Sequence, residues 1–385
     1  MKHARGAHWL GRAAGMAAAM VLLGGLALSG TATAATKTYQ LGAIFPLSGP
    51  NSIYGKLFSQ AANLAVEDVN KSGKINGKLK VVYADSQALP QPAVVAMNKL
   101  VNVNKVKFTL TAFSGVSKAI APIGNRQHVL MVNGGGVSPE LAIGGYFLND
   151  IPLSNDEVKA LWPYAVHHMG IKKIAVVHVN DPFGNGVNSV IKSQCKKLGC
   201  DIVSDVSIDP SSTSFQSEVV KIRAAQPDAV YLASYGQQQN VLAKQLRDGG
   251  VNAQLLSYSA FGIPSTEKLD AAQGSIFTAE HVNYSANEMT KKFRADFKKK
   301  YGSAPNYYQV NYYNAVIVYA DLIKYLQDHN QKFTGPNLLK ALHSIASFDV
   351  VGGKVSFRKN GTVQMPIAIN RLKNGKPETM TVVKP

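Results

Sequence analysis

A chain of 385 residues with 46% hydrophobic residues and two cysteines is too long for one hydrophobic core and too poor in cysteine for a disulfide scaffold. Its net charge of +18 raises the prospect of nucleic acid, but the lysines are dispersed, and the one dense cluster, KKFRADFKKK (291–300), reads as the solvated face of an amphipathic helix. Nucleic acid is therefore not an expected partner; modest long-range attraction of an anionic solute is.

The first 34 residues carry a basic start (Lys2, Arg5, Arg12), the apolar stretch GMAAAMVLLGGLALSG and the small residues ATA at 32–34. That order predicts a secretory signal peptide cut near Ala34, and so an exported, periplasmic chain. No later run approaches the ~18 apolar residues of a spanning helix. YQLGAIF (39–45) predicts a buried strand, and Leu57, Ala61, Leu64, Ala65 and Val69 then recur at helical spacing. KINGKLKVVYAD carries an Asn-Gly turn and a second strand. A helix near 91–103, a strand at 107–112, a helix near 117–126 and a strand at 129–133 follow.

The alternation continues with a helix over 155–169, the strand KKIAVVHVN, a helix over 185–199, the strand DIVSDVSI, a helix over 214–225, the strand DAVYLAS and a helix over 237–248. The strands AQLLSYS and SIFTAE come next, then helices within 287–301, 307–328 and near 336–345, and short strands near 354–358 and 366–372. Such alternation implies parallel sheets covered by helices on both faces, and this many units favours two doubly wound sheets over one. Cys195 and Cys200 flank a helix end in SQCKKLGC. In an oxidising compartment a local disulfide is favoured over two free thiols, and two cysteines without a nearby histidine make no metal site.

In open α/β sheets ligands bind beyond the carboxyl ends of the strands, where loops lead into helix N-termini. Here those positions hold PLSGPNSIYG, FSGVSK, NGGGVSP, VNDPFGNG, ASYGQQQ and SYSAFG. GPNSIYGK imitates a phosphate-binding loop, yet it has five residues between its glycines and Leu57 where a Mg²⁺-binding Ser or Thr is needed. FGNGVN lacks the third glycine of a dinucleotide fingerprint. With no HExxH, no G-x-S-x-G and no clustered carboxylates at the strand ends, neither catalysis nor a cofactor is expected. What the strand ends do hold is Tyr54, Ser114, Gly135, Phe183, Tyr235, Tyr258 and Phe261. Hydroxyls, backbone amides and aromatic rings are the profile of a small-molecule cleft. Three consecutive glycines in VNGGGVSPEL (132–141) carry a high entropy cost; a ligand reaching the backbone would account for them.

Taken jointly, IFPLSGPNSIYGK, LAVEDVNKSGKINGKLKVVYADS, VLMVNGGGVSPEL, IAVVHVNDPFGNG and IRAAQPDAVYLASYG resemble the periplasmic solute-binding proteins of ABC importers, of the leucine/isoleucine/valine-binding type, from about residue 39 to 372. The resemblance implies an α/β fold of two doubly wound parallel-sheet lobes joined by three hinge crossings, with the ligand cleft between them. Residues 35–152 and 281–357 would form lobe 1, and 153–280 and 358–385 lobe 2. It also implies closure of the lobes over the ligand and docking of the closed form on an inner-membrane ABC permease.

Residue by residue, Ser114 matches the serine with which the family's amino-acid binders clamp the ligand carboxylate, and Gly135 and Val137 fall in its binding loop. Tyr235 matches a cleft tyrosine, and Phe183 stands where the family has an aromatic. Two positions depart from that pattern: Val137 replaces a Thr, and Ser259 falls where an acidic residue pairs with the ligand ammonium. An ammonium buried without a carboxylate is costly. The expected ligand is therefore a carboxylate or amide with an apolar or aromatic body, an aromatic acid first, held by Tyr54, Ser114, Gly135, Val137, Phe183, Tyr235, Ser259 and Phe261. A hydrophobic amino acid, with Asp181 supplying the charge, is the alternative ligand, and a sensory module of the same fold the alternative role.

Overall fold

Alternation of buried strand and amphipathic helix produces two separate sheets in the computed structural model, which describes residues 36–384. The expected signal peptide, with its cut near Ala34, lies outside the described residues. The first sheet comprises β1 (Thr38–Phe45), β2 (Lys78–Asp85), β3 (Phe108–Thr111), β4 (Leu130–Asn133) and β5 (Phe147–Asn149), ordered β2-β1-β3-β4-β5 and parallel throughout. Its crossovers are α1 (Ser52–Ser72), α2 (Pro90–Asn102) and α3 (Ser114–Gln127). Strands β3 and β4 are buried at every residue, the signature of a sheet covered on both faces.

The chain then crosses to α4 (Ser154–Pro163) and builds β6 (Lys173–Val179), α5 (Pro182–Leu198), β7 (Asp201–Ile208), α6 (Gln216–Ala225), β8 (Ala229–Ala233) and α7 (Gly236–Asp248). It continues through β9 (Gln254–Ser257), a short α8 (Pro264–Glu267) and β10 (Ile276–Glu280). A second crossing leads to α9 (Glu288–Tyr301), α10 (Tyr307–Asp328) and α11 (Gly335–Ser344), then to the hairpin of β11 (Phe348–Val350) and β12 (Gly353–Val355). A third crossing returns the chain to the second sheet as β13 (Ile367–Lys373) and β14 (Lys376–Val383). That sheet runs β14-β13-β10-β9-β8-β6-β7, with β13 and β14 the antiparallel edge. The Gly361 carbonyl still accepts from Asn149 N at 2.7 Å, so the last crossing falls beyond it.

Helix α10 packs against α1 and is buried on nearly all sides. A capping box of Asn306 and Gln309 fixes its start. The single helix expected over 155–169 is instead α4 followed by one π turn, Tyr164–His168. Pro163 has no N–H to continue the ladder, and the turn widens there. The strand expected near 354–358 is β12, three residues long and paired with β11, which no sequence pattern announced.

Cys195 and Cys200 are bonded, with Cα atoms 4.6 Å apart, and Trp162 Nε1 lies 3.2 Å from Cys195 Sγ. Reduction releases only a short loop and is expected to lower the unfolding free energy by about 2 kcal/mol. Urea midpoints measured with and without reductant would check this.

Candidate functional site

Strand order reverses between β1 and β3 in the first sheet and between β6 and β8 in the second, and a crevice opens beyond the carboxyl ends of strands at such points. The segments that follow these strands meet across one cavity. On one side stand Tyr54 from the first turn of α1, Phe113 and Ser114 at the start of α3, and Gly135 and Val137 after β4. Phe183 at the start of α5, Tyr235 just before α7 and Tyr258 after β9 face them, and Tyr308 of α10 completes the wall.

The rings are packed edge to face or tilted: Tyr54–Phe113 at 5.5 Å, Phe113–Tyr235 at 5.3 Å and Phe183–Tyr258 at 4.6 Å. The two walls touch. Gly236 N donates to Tyr54 Oη at 3.4 Å, and Ser138 Oγ donates to the Pro182 carbonyl at 2.9 Å. The enclosed space is about 20 Å³, room for a water molecule, so a larger ligand requires the walls to part.

The loop after β4 is built around Asn133. Its Oδ1 accepts from Gly135 N at 3.2 Å and Gly136 N at 2.7 Å, while its Nδ2 donates to Gly136 O at 2.7 Å. Two of the backbone N–H groups that a ligand was expected to reach are thus committed to Asn133, although Gly135 itself lines the cavity. Nor do these glycines occupy left-handed backbone. Their role is space. A Cβ on Gly136 would lie 3.0 Å from Phe113 C and Ser114 N, and one on Gly135 would lie 3.0 Å from Tyr312 Oη. The loop can thus lie directly on the start of α3, where Ser114 Oγ accepts from Val137 N at 3.1 Å and Ser138 N at 3.0 Å. With two donors already on its oxygen, the Ser114 hydroxyl has its own proton left to donate. Phe113 precedes it with φ of 63°, a strained conformation for an aromatic residue that clusters at functional sites.

On the opposite wall Asp181 caps α5, accepting from Gly184 N at 2.8 Å, and its other oxygen accepts from Tyr235 Oη at 2.8 Å. Burial pushes the Asp181 carboxyl up, opposed by those hydrogen bonds. Asp181 stands behind Tyr235 and is not itself part of the wall.

Of the eight residues singled out in the sequence, Tyr54, Ser114, Gly135, Val137, Phe183 and Tyr235 line the cavity, whereas Ser259 and Phe261 do not. Ser259 lies one layer back, its Oγ 3.1 Å from Tyr308 Oη. Phe261 is fully buried beside Phe277, at 6.5 Å between ring centroids. Sequence reasoning missed Phe113 and Tyr308. The tyrosine-rich start of α10, YYQVNYY, is the signal that could have drawn attention to Tyr308. Among the described residues no group of three or more His, Cys, Asp or Glu could hold a metal ion, and no helix is long and apolar enough to cross a membrane.

Two facing α/β sheets with an aromatic cavity between their strand ends define a solute-binding protein fold, and residues 38–377 match the family model for periplasmic binding protein; the chain belongs to that family. The Leu/Ile/Val-binding protein homolog 3 of Brucella melitensis is 27% identical over 349 residues, covering 88% of this chain and 92% of the relative. A branched-chain amino acid transporter substrate-binding protein of Streptococcus pneumoniae, solved with isoleucine, superposes with a TM-score of 0.82 at 21% identity, covering 91% of this chain and 100% of that one. A solute-binding protein of an ABC transporter from R. palustris, solved with benzoate, gives a TM-score of 0.82 at 18% identity, covering 91% and 97%. Within the family, this is a type I periplasmic binding protein of the leucine/isoleucine/valine-binding group.

Proposed function

We propose that the protein is the extracytoplasmic, periplasmic substrate-binding receptor of a branched-chain-amino-acid-type ABC importer, closing on a small carboxylate with an aromatic or apolar body, an aromatic acid first. The observation that carries this reading is the wall itself: six aromatic rings, Val137, and no lysine, arginine, aspartate or glutamate. Such a wall stabilises a flat apolar body by ring contact. Ser114, at the N-terminus of a 14-residue helix, offers a hydroxyl donor and the positive end of the helix dipole to the carboxylate. The benzoate complex of the R. palustris relative is consistent with such a ligand.

A second reading, a hydrophobic amino acid, is favoured by one feature: Asp181, partly buried and 2.8 Å from the Tyr235 hydroxyl, could pair with an ammonium if that tyrosine swung aside. The isoleucine complex of the S. pneumoniae relative supports it. Calorimetric titration with benzoate, 4-hydroxybenzoate, leucine and isoleucine decides between the two. Binding of the aromatic acids with little response to leucine is the expected result, and tight leucine binding with no response to aromatic acids overturns it. Asp181→Asn sharpens the comparison, because it should abolish amino-acid binding and leave an aromatic acid bound. Stimulation of a reconstituted permease by the liganded receptor separates transport from a sensory role.

A further inference from the structure

Directly behind the cavity lies a layer of carboxyl groups that the binding site does not use. Asp150 begins the first crossing between the sheets, Glu157 lies in the first turn of α4 just beyond it, and Glu280 ends β10 at the second crossing. All three are buried, at 0%, 1% and 6% exposure. Both oxygens of Asp150, Oε2 of Glu157 and Oε2 of Glu280 have no hydrogen-bond partner among the described residues. Burial of this kind disfavours the charged form of each carboxyl.

The layer is tied to the cavity at two points. Asn311 Nδ2 bridges Glu280 Oε1 at 2.6 Å and the Gly134 carbonyl at 3.2 Å, joining it to the binding loop. Ser259 lies beside Glu157 and opposes the rise of its carboxyl, and the Ser259 Oγ is 3.1 Å from the hydroxyl of the wall residue Tyr308. The three carboxyls do not line the cavity itself; they stand at the crossings between the two sheets, behind its wall.

We propose that parting of the walls hydrates the Asp150–Glu157–Glu280 layer, so that closure of the cleft is coupled to proton uptake and ligand is held more tightly in acidic than in alkaline surroundings. The inference rests on the receptor reading given above.

The surroundings supply no compensating positive charge. Asp150 faces Glu280 and Tyr312, and Glu157 faces Glu280, Asp156, Tyr231 and Tyr308. Around Glu280 stand Tyr284, Tyr307 and Asn311. The nearby cations look elsewhere: Lys159 and Arg358 act on Asp156, and Arg294 on Tyr284. Lys354 and His281 share with Glu280 a cavity of about 90 Å³, but Lys354 pairs with Asp349 at 3.7 Å. Burial, chiefly, pushes all three carboxyls up, Glu280 to about 7 and Asp150 to about 8, and the Glu280 charge pushes the other two further.

The sign follows from linkage. Below the ordinary carboxyl range, open and closed forms are both protonated and closure is insensitive to pH. Between that range and about 7 for Glu280 or about 8 for Asp150, closure takes up a proton that the hydrated open form has lost. Affinity therefore falls with rising pH by up to about tenfold per unit for each proton taken up, and levels off above that window.

The test is to titrate the best ligand of the panel from about pH 5 to about pH 9, on the wild type and on Glu280→Gln and Asp150→Asn. The amide of Glu280→Gln keeps an oxygen for Asn311, and both variants retain Asp181, so a proton taken up there cancels in the comparison. A falling wild-type affinity that flattens in either variant supports the proposal, and parallel profiles for wild type and both variants overturn it. If no panel ligand binds, the ligand reading fails, and the coupling is read from the ligand-free protein by small-angle scattering. A radius that grows with pH in the wild type and stays constant in Glu280→Gln supports coupling. A wild-type radius independent of pH rejects it.

Discussion

Replacing Ser114 with alanine is expected to weaken ligand binding by ten- to a hundredfold or more and to destabilise the apo protein as well. The first effect comes from the hydroxyl proton, which would make a charge-assisted hydrogen bond to a carboxylate worth about 1.5–3 kcal/mol, about ten- to a hundredfold in affinity. The second comes from the oxygen, which accepts from the buried amides of Val137 and Ser138. Alanine leaves both donors unpaired, at about 1–3 kcal/mol for each buried group. Ser114→Thr separates the two roles, since it keeps donor and acceptor while adding a methyl group. Urea unfolding and calorimetric titration of the three proteins read stability and affinity independently. Unchanged affinity in Ser114→Ala would move the carboxylate to another part of the cavity, whatever the stability did.

The sheets were legible because parallel strands buried on both faces read as unbroken apolar runs, as in β1 and β8, and because the helices between them repeat apolar residues at helical spacing, as α1 does. Strands β5 and β11 are three residues long, too short to carry a period, and β14, an edge strand with no fully buried residue, has no apolar run to reveal it. Strand ends located most of the cavity wall, since the topology dictates where crevices open. Ser259 and Phe261 show where that reasoning stops. They follow Tyr258 in one 3₁₀ turn, and a turn of that kind sends neighbouring side chains in different directions, Tyr258 to the cavity and Phe261 to the core. The carboxyl layer was illegible for a related reason. Glu280 lies more than a hundred residues from Asp150 and Glu157, and all three look like ordinary surface acids until the crossings bring them together.

Gly136→Ala tests whether the triple glycine exists for space or for ligand contact. The added Cβ would sit 3.0 Å from Phe113 C and Ser114 N. These are backbone atoms at the start of a packed helix, which cannot rotate away as a side-chain tip could. Either the loop lifts slightly from α3, lengthening the hydrogen bonds of Val137 and Ser138 to Ser114, or α3 shifts and carries Ser114 and Phe113 with it. Both routes should cost about 1–3 kcal/mol of stability and weaken ligand binding along with it, although the substitution removes no polar group. Gly115→Ala is the matched control, one residue beyond Ser114. Its Cβ would meet nothing nearer than Pro182 Cδ and Pro90 Cγ at 3.8 Å, an ordinary contact, and alanine inside a helix is favoured over glycine by about 0.5–1 kcal/mol. That variant should be as stable as the wild type or more so. If Gly136→Ala proved equally benign in urea yet lost ligand affinity, the glycine would be serving the ligand directly. A joint loss of stability and affinity, confined to Gly136→Ala, would show that binding depends on how closely this loop can lie on the helix that presents Ser114.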